Sequence, residues 1–267
     1  MVEFATFAYL MRHTLDLLRT FLVRDLSNRY RGSTLGLVWY VLNPIFMLGV
    51  FTTVFSGVFR MRWSGQGDST LLFALNVFAG LLVNSFFSEA WQRGAQAILS
   101  QPALVKRVVF PLLLLPLVTS ISSLTHCLLG LLILGGFAMV FVDASMHLGY
   151  ALLALPPMLL LAIGVSWMLA ALTVYLRDLT QVVALALTAM MFLSPVFYPL
   201  SQVPDGLRSW ILLNPITIPA EALRASLLGG PVPALEWLGF YWLVAVLVLV
   251  CGALMFRFLS RGFADVL

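Results

Sequence analysis

The side chains with the clearest chemical use stand just before a long apolar run: Arg29, Tyr30 and Arg31. A guanidinium forks onto two oxygens of a phosphate or carboxylate. The tyrosine between them has a ring and a hydroxyl suited to a wet boundary. At the headgroups of an anionic leaflet each arginine is worth about 1 kcal/mol. The triplet therefore reads either as an anion-recognition element or as a plain topological anchor. Other reactive groups are few. His126 and Ser166 lie in apolar stretches and could form a base and nucleophile. However, Gly164-Val165-Ser166-Trp167 lacks the second glycine of a nucleophile elbow. For His126 the expectation is a packed, hydrogen-bonded residue. Glu89, Asp143, Asp178 and Glu236 fall near the ends of apolar runs or in loops, so no carboxylate is expected at depth, where a proton-driven carrier needs one. No cluster has metal-ligand spacing, and Cys127 and Cys251 read as small hydrophobes. The single lysine, Lys106, has no P-loop context, which excludes ATP hydrolysis by that route. Any driven work must draw on another subunit.

The elements that position these residues follow from composition. Of 267 residues, 61% are hydrophobic and 10% charged, with a mean hydropathy of +1.02. A soluble domain is about 45–50% apolar and about 25% charged. The expected class is all-α, a polytopic membrane protein with six transmembrane helices. A crossing takes about 20 apolar residues, and six segments qualify: residues 35–59, 71–87, 112–142, 148–176, 179–198 and 238–258. The third and fourth are long for one crossing, with Pro116 and the Pro156–Pro157 pair expected to bend them. A basic chain suggests nucleic acid only if its charges share a soluble face. Here they lie between apolar runs, so no nucleic-acid partner is expected. With the N-terminus cytoplasmic, the inside holds Arg12, Arg19, Arg24, Arg29, Arg31, Arg93, Lys106, Arg107, Arg177, Arg257 and Arg261. The outside keeps Arg60, Arg62, Arg208 and Arg224. That asymmetry puts both termini inside.

Residues 1–34 form a first unit and 35–267 the transmembrane domain. Within 9–29, Leu10, Leu17, Leu18, Phe21 and Leu22 share a helical arc opposite Arg12, Asp16 and Arg19, with Asp25 intruding on the apolar side. The pattern fits an amphipathic helix in the membrane interface or an ordinary positive flank. Residues 89–110 read as a cytoplasmic loop with a short helix at 95–100, stopped by Pro102. Residues 199–237 read as an external segment with a helix at 219–228, ended by Gly229-Gly230-Pro231. On the first span Trp39, Asn43, Phe46, Val50 and Thr53 recur at helical spacing and share a face. Aromatic rings beside Asn and Thr suit a sugar, which stacks its C–H faces and pairs its hydroxyls; the alternative is plain helix packing. Thr188 and Phe192 on the fifth span, and Tyr198 near its outer end, are further channel candidates. Trp63, Trp210, Trp237, Tyr241 and Trp242 read as an interfacial belt.

Arg29-Tyr30-Arg31-Gly32-Ser33, with Leu35-Gly36 and Asn43-Pro44, resembles the opening of membrane subunits of ABC-2 type polysaccharide exporters. Four further stretches agree in order: Lys106-Arg107-Val108-Val109-Phe110-Pro111 with Leu115-Pro116; Tyr175-Leu176-Arg177-Asp178-Leu179; Ser194-Pro195-Val196-Phe197-Tyr198-Pro199 with Leu213-Asn214-Pro215; and the ending from Gly262 to Leu267. The resemblance implies a half-permease for O-antigen, capsular polysaccharide or teichoic acid in the bacterial inner membrane. Two copies would make the pore, and two ABC ATPase subunits would carry ATP and magnesium, with no cofactor on this chain. It further implies that Arg29, Tyr30 and Arg31 meet the diphosphate of a lipid-linked polymer. Arg93, Gln101, Lys106 and Arg107 would face the ATPase. Rival readings are an ABC-2 drug or lipid exporter, an intramembrane enzyme, and a non-transporting scaffold.

Overall fold

The computed structural model describes residues 2–28, 38–54, 70–105, 110–142 and 148–267, with side chains from Thr14 onward. Among the described residues the secondary structure is entirely helical. The elements are α1 (Val2–Asn28), α2 (Trp39–Thr52), α3 (Thr70–Gln96), α4 (Pro102–Val105), α5 (Leu114–Phe141) and α6 (Leu148–Tyr175). They continue with α7 (Leu179–Phe192), α8 (Asp205–Leu212), α9 (Thr217–Leu228), α10 (Leu235–Leu259) and α11 (Phe263–Val266).

The central element is α3. It packs against α2, α5, α6, α7 and α9, and so its flanks carry protein rather than lipid. Phe73, Leu75, Val77, Phe78, Phe86 and Phe87 are all buried along it. The outer helices instead show apolar side chains to their surroundings, as at Leu132, Met139, Leu185, Leu247 and Leu254. In a bilayer that exposure costs nothing, because lipid tails are as apolar as leucine.

Small residues set the tightest contact, between α6 and α10. A Cβ on Gly164 would stand 2.7 Å from the carbonyl oxygen of Val248, and one on Gly252 would strike the carbonyl of Gly164. Both glycines are required by backbone contact between the helices. Polar side chains stitch the inner faces. Ser120 Oγ donates to Ser166 Oγ at 3.1 Å, Ser166 Oγ donates to the carbonyl of Ala90 at 3.1 Å, and Thr173 Oγ1 donates to that of Ala95 at 2.5 Å. At the start of α6, Ser226 Oγ on α9 accepts the Ala151 N–H at 2.7 Å, one of the donors a helix N-terminus leaves open.

Among the described residues four helices are long and apolar enough to cross a membrane: 71–96 in α3, α5, α6, and the run from α10 through α11. A fifth crossing exists if α8 and α9, bent by 93° at their junction, count as one broken span. The six-span expectation thus meets two short helices. α2 and α7 have 14 residues each, or about 21 Å at 1.5 Å per residue, against about 30 Å of hydrocarbon.

Several boundaries differ from the sequence reading. The second apolar run was ended at Phe87, but α3 continues to Gln96 because Ala90, Trp91 and Ala95 are buried against protein. Residues 95–96 therefore belong to α3, and Pro102 opens α4 rather than stopping a helix, where its missing N–H is harmless. Pro116 sits in the first turn of α5, and α6 runs unbroken through Pro156 and Pro157. The helix read at 219–228 is present as α9. Gly229 at φ 68° ends it, and Gly230 N–H donates to the Arg224 carbonyl at 3.2 Å.

Candidate functional site

One polar cluster joins α1, α3 and α5. Asp25 is the residue that spoils the apolar arc of α1, whose Leu17, Leu18, Phe21 and Leu22 are half-buried while Asp16 and Arg19 are exposed. The structure gives the reason: Asp25 Oδ1 accepts from Arg93 Nη2 at 2.5 Å. Arg93 Nη1 also donates to Glu89 Oε1, one turn earlier on α3, at 3.0 Å. Glu89 Oε2 in turn lies 3.4 Å from His126 Nδ1 on α5. Opposite charges thus pair along Asp25, Arg93 and Glu89, and the Glu89 carboxylate reaches the His126 ring, in a line from the N-terminal helix into the bundle. Glu89 belongs inside α3 with only 14% of its side chain exposed, which corrects its placement at a span end.

Two cavities flank this chain of charges. One, of about 220 Å³, is lined by Arg24, Asp25, Arg93, Gln96, Gln101 and neighbours. Arg93 and Gln101, singled out from the sequence together, do come together here. Lys106 and Arg107 lie outside the described residues. The other cavity, of about 280 Å³, lies between α2, α3 and α5, with Asn43 and His126 among its walls. Next to the first cavity, an apolar floor gathers Phe21 of α1, Phe110, Leu115, Val174, Phe256 and Phe263. Phe21 meets Phe110 at 5.4 Å and carries the Arg24 guanidinium 5.6 Å above its ring. Phe21 thus joins α1 to an apolar cluster that α5, α6 and α10 share.

The channel candidates separate into two places. Trp39, Asn43, Phe46, Val50 and Thr53 are all exposed, Phe46 at 65%, while Pro44 and Leu48 face the bundle. Val41, Leu42, Ile45 and Met47 are exposed as well, so burial does not single out the face read from spacing. On α7, Thr188 and Phe192 are likewise exposed. Thr53 and Thr188 return their hydroxyls to the carbonyls of Gly49 and Ala184, at 2.8 and 3.0 Å. Each helix leans on α3. Near the N-terminal end of α3, Phe51 of α2 and Phe197, after α7, both pack on Phe73 and Val77. Tyr198 is half-buried, its hydroxyl 3.5 Å from the Phe192 carbonyl. Arg29, Tyr30 and Arg31 lie outside the described residues.

His126 and Ser166 have separate engagements, His126 with Glu89 and Ser166 with Ser120 and the Ala90 carbonyl. Tyr241 is 5% exposed with its hydroxyl on the Pro215 carbonyl at 3.2 Å, so it is a core residue and not part of a belt.

The largest correction concerns Arg224, counted from the sequence among the basic residues of the external side, on the short helix 219–228. It is 1% exposed. Its Nε and Nη2 donate to the Asn76 carbonyl at 3.0 and 2.9 Å. Nη1 donates to the Pro195 carbonyl and to Glu221 Oε1, both at 2.7 Å, and Nη2 reaches the Val196 carbonyl at 3.1 Å. One guanidinium thus fastens the bent α9 to α3 and to the segment after α7. Asn214 holds the α8–α9 corner, donating to the Met190 carbonyl at 2.8 Å and accepting the Ile216 N–H at 3.0 Å. No isolated motif announces this arrangement, but Glu221 three residues before an arginine among alanines is a usable signal for a buried pair.

A helical bundle with a bent helix pair, apolar outer faces and a charged seam at one end describes a membrane conduit. Residues 16–228 match the model of the ABC-2 type transporter family. The chain belongs to that family. It is similar to the O-antigen export system permease protein RfbA of Myxococcus xanthus, 30% identical over 93% of this chain and 94% of the relative. A Klebsiella pneumoniae protein of the same name is 26% identical over 97% of this chain and 98% of its own length. The capsule polysaccharide export inner-membrane protein CtrC of Neisseria meningitidis is 22% identical over 90% of both chains. As an ABC-2 transporter the chain is a polytopic membrane subunit. Two of its recognisable stretches have structural roles in the fold. Ser194-Pro195-Val196 supplies carbonyls to Arg224, and Leu213-Asn214-Pro215 builds the helix corner.

Proposed function

We propose that this chain is the half-permease of an ATP-driven exporter carrying lipid-linked polysaccharide, of the O-antigen or capsular kind, across a bacterial inner membrane. The observation that carries the reading is likeness to O-antigen export permeases along 93% of the chain. Two copies form the pore, and ABC ATPase subunits holding ATP and magnesium bind on the cytoplasmic side. Both termini are cytoplasmic, and α2 and α7 belong to the two remaining crossings. Burial of Arg224 supports that orientation, since it removes one of the four basic residues assigned outside.

Residues 1–34 lie along the interface, and 35–267 form the transmembrane domain. Arg29, Tyr30 and Arg31 meet the lipid diphosphate by forked, charge-assisted hydrogen bonds. Gln101, Lys106 and Arg107 contact the ATPase, whose closure pushes 89–110 and α1. The Asp25–Arg93 pair passes that push to α3. The exposed faces of α2 and α7, with Trp39, Asn43, Phe46, Thr188 and Phe192, line the path between the two copies. Such coupling requires different contacts in two states. The test is Arg29→Ala with Arg31→Ala in a deletion strain. Polymer accumulates inside while the permease still inserts; normal surface polymer would contradict the headgroup role.

A further inference from the structure

We propose that the groove between α8, α9 and the start of α10 is a saccharide-binding subsite, which receives the polymer on the external face. The groove has a volume of about 440 Å³ and is lined by Trp237, Glu221, Arg208, Asp205, Ser209 and Leu212 among others. That lies within the usual range of small-ligand pockets, about 300–1,000 Å³.

The groove has a fixed acceptor in its wall. Glu221 is 6% exposed, and its Oε1 is held by Arg224 at 2.7 Å. Arg224 is itself locked by three backbone carbonyls, so the carboxylate keeps one orientation without a ligand. An acceptor fixed in this way pairs with a sugar hydroxyl without reorganising. A second feature supplies the apolar half of sugar recognition. Trp237 is half-buried, packed on the core and braced edge-on by Phe240 at 5.9 Å and 84°. Its ring offers a rigid surface for the C–H face of a pyranose. Pro199, Pro231 and Pro233 stiffen the remaining wall.

Charge selects among ligands. Asp205 is offset by Arg208 in the same lining and Glu221 by Arg224 behind it, so the groove carries no net charge to hold an anionic ligand, while its three charged side chains exclude an acyl chain. A neutral, hydroxyl-rich chain satisfies both conditions. This inference rests on the polysaccharide-export reading and names a place in it that the central path does not include.

The experiment uses the full permease with its ATPase in cells. Ser209→Cys is built in a Cys251→Ser background, Cys127 being buried. Spheroplasts are treated with a membrane-impermeant maleimide. Labelling rates are compared between cells that make the polymer and cells blocked in the first sugar transfer to the lipid carrier. The polymer slows labelling severalfold, Trp237→Ala and Glu221→Gln each abolish the protection, and Trp237→Tyr retains part of it. Equal rates with and without polymer overturn the proposal. Equal, slow labelling in both means that protein covers the groove, which overturns it too. Labelling only in inverted vesicles overturns the external placement. The export reading fails separately, if deleting the gene leaves surface polymer unchanged.

Discussion

Arg224 divides its donors among three carbonyls and one carboxylate, all inside protein. Removing it strands a buried charge, which costs about 3–5 kcal/mol. Arg224→Met is therefore expected to lower the thermal midpoint in detergent sharply and reduce accumulation in the membrane. Adding Glu221→Gln should recover part of the loss, because the stranded charge is gone. An unchanged midpoint for Arg224→Met would show that the pin carries no load. The pair between Arg93 and Asp25 belongs to another regime, with side chains 33% and 24% exposed. A half-buried pair is worth less than a fully buried one, so Asp25→Asn should lower the midpoint far less than Arg224→Met. If the pair transmits motion, ATPase stimulation by substrate falls instead, and exchanging the charges as Asp25→Arg with Arg93→Asp restores part of it. Loss of stability without loss of coupling would make the pair merely structural. Residue identity hid both features in the sequence. Arg224 sits on a short helix of an external segment whose burial no local pattern shows, and Asp25 looks like a flaw in an apolar arc until its partner, 68 positions away, is in view.

At the scale of elements, glycine decides the contact between α6 and α10. Gly252→Leu drives a side chain into the Gly164 backbone and should separate the two helices, read as a lower midpoint and as lost cross-linking between cysteines placed on them. Gly49→Ala on α2 meets open space and serves as the silent control. Equal effects of the two substitutions would refute the close-contact account. The long helices were legible because apolar run length alone fixes them: α5, α6 and α10 fall within a few residues of the expected bounds. The end of α3 was not, since its last turns are buried by neighbouring protein rather than by lipid. Hydropathy could not give the bend between α8 and α9 either, because it depends on side chains such as Asn214 turning back on their own backbone. Spacing groups Trp39, Asn43 and Phe46 on one face of α2, and its role is open to a direct test. Trp39→Ala with Phe46→Ala is expected to slow export of long chains while assembly with the ATPase proceeds normally. Equal loss of both would assign that face to packing.

For the whole molecule, the family and the geometry agree on a division of labour. The chain offers a bundle built around α3, a bent helix pair fastened to it, and a charged seam where α1 meets the core. Arg93 at the seam and Asn76, whose carbonyl Arg224 holds, stand near opposite ends of α3, so this one helix joins the seam to the bent pair. Power is expected from a separate ATPase, and cargo from a lipid-linked polymer. The direct measurement uses inverted membrane vesicles holding this permease and its ATPase, loaded on the outer face with the cell's own lipid-linked polysaccharide. On addition of ATP, the polymer should become protected from an added glycosidase, and omission of either protein should abolish the protection. Protection without the ATPase, or none with the complete system and ATP, would contradict the account.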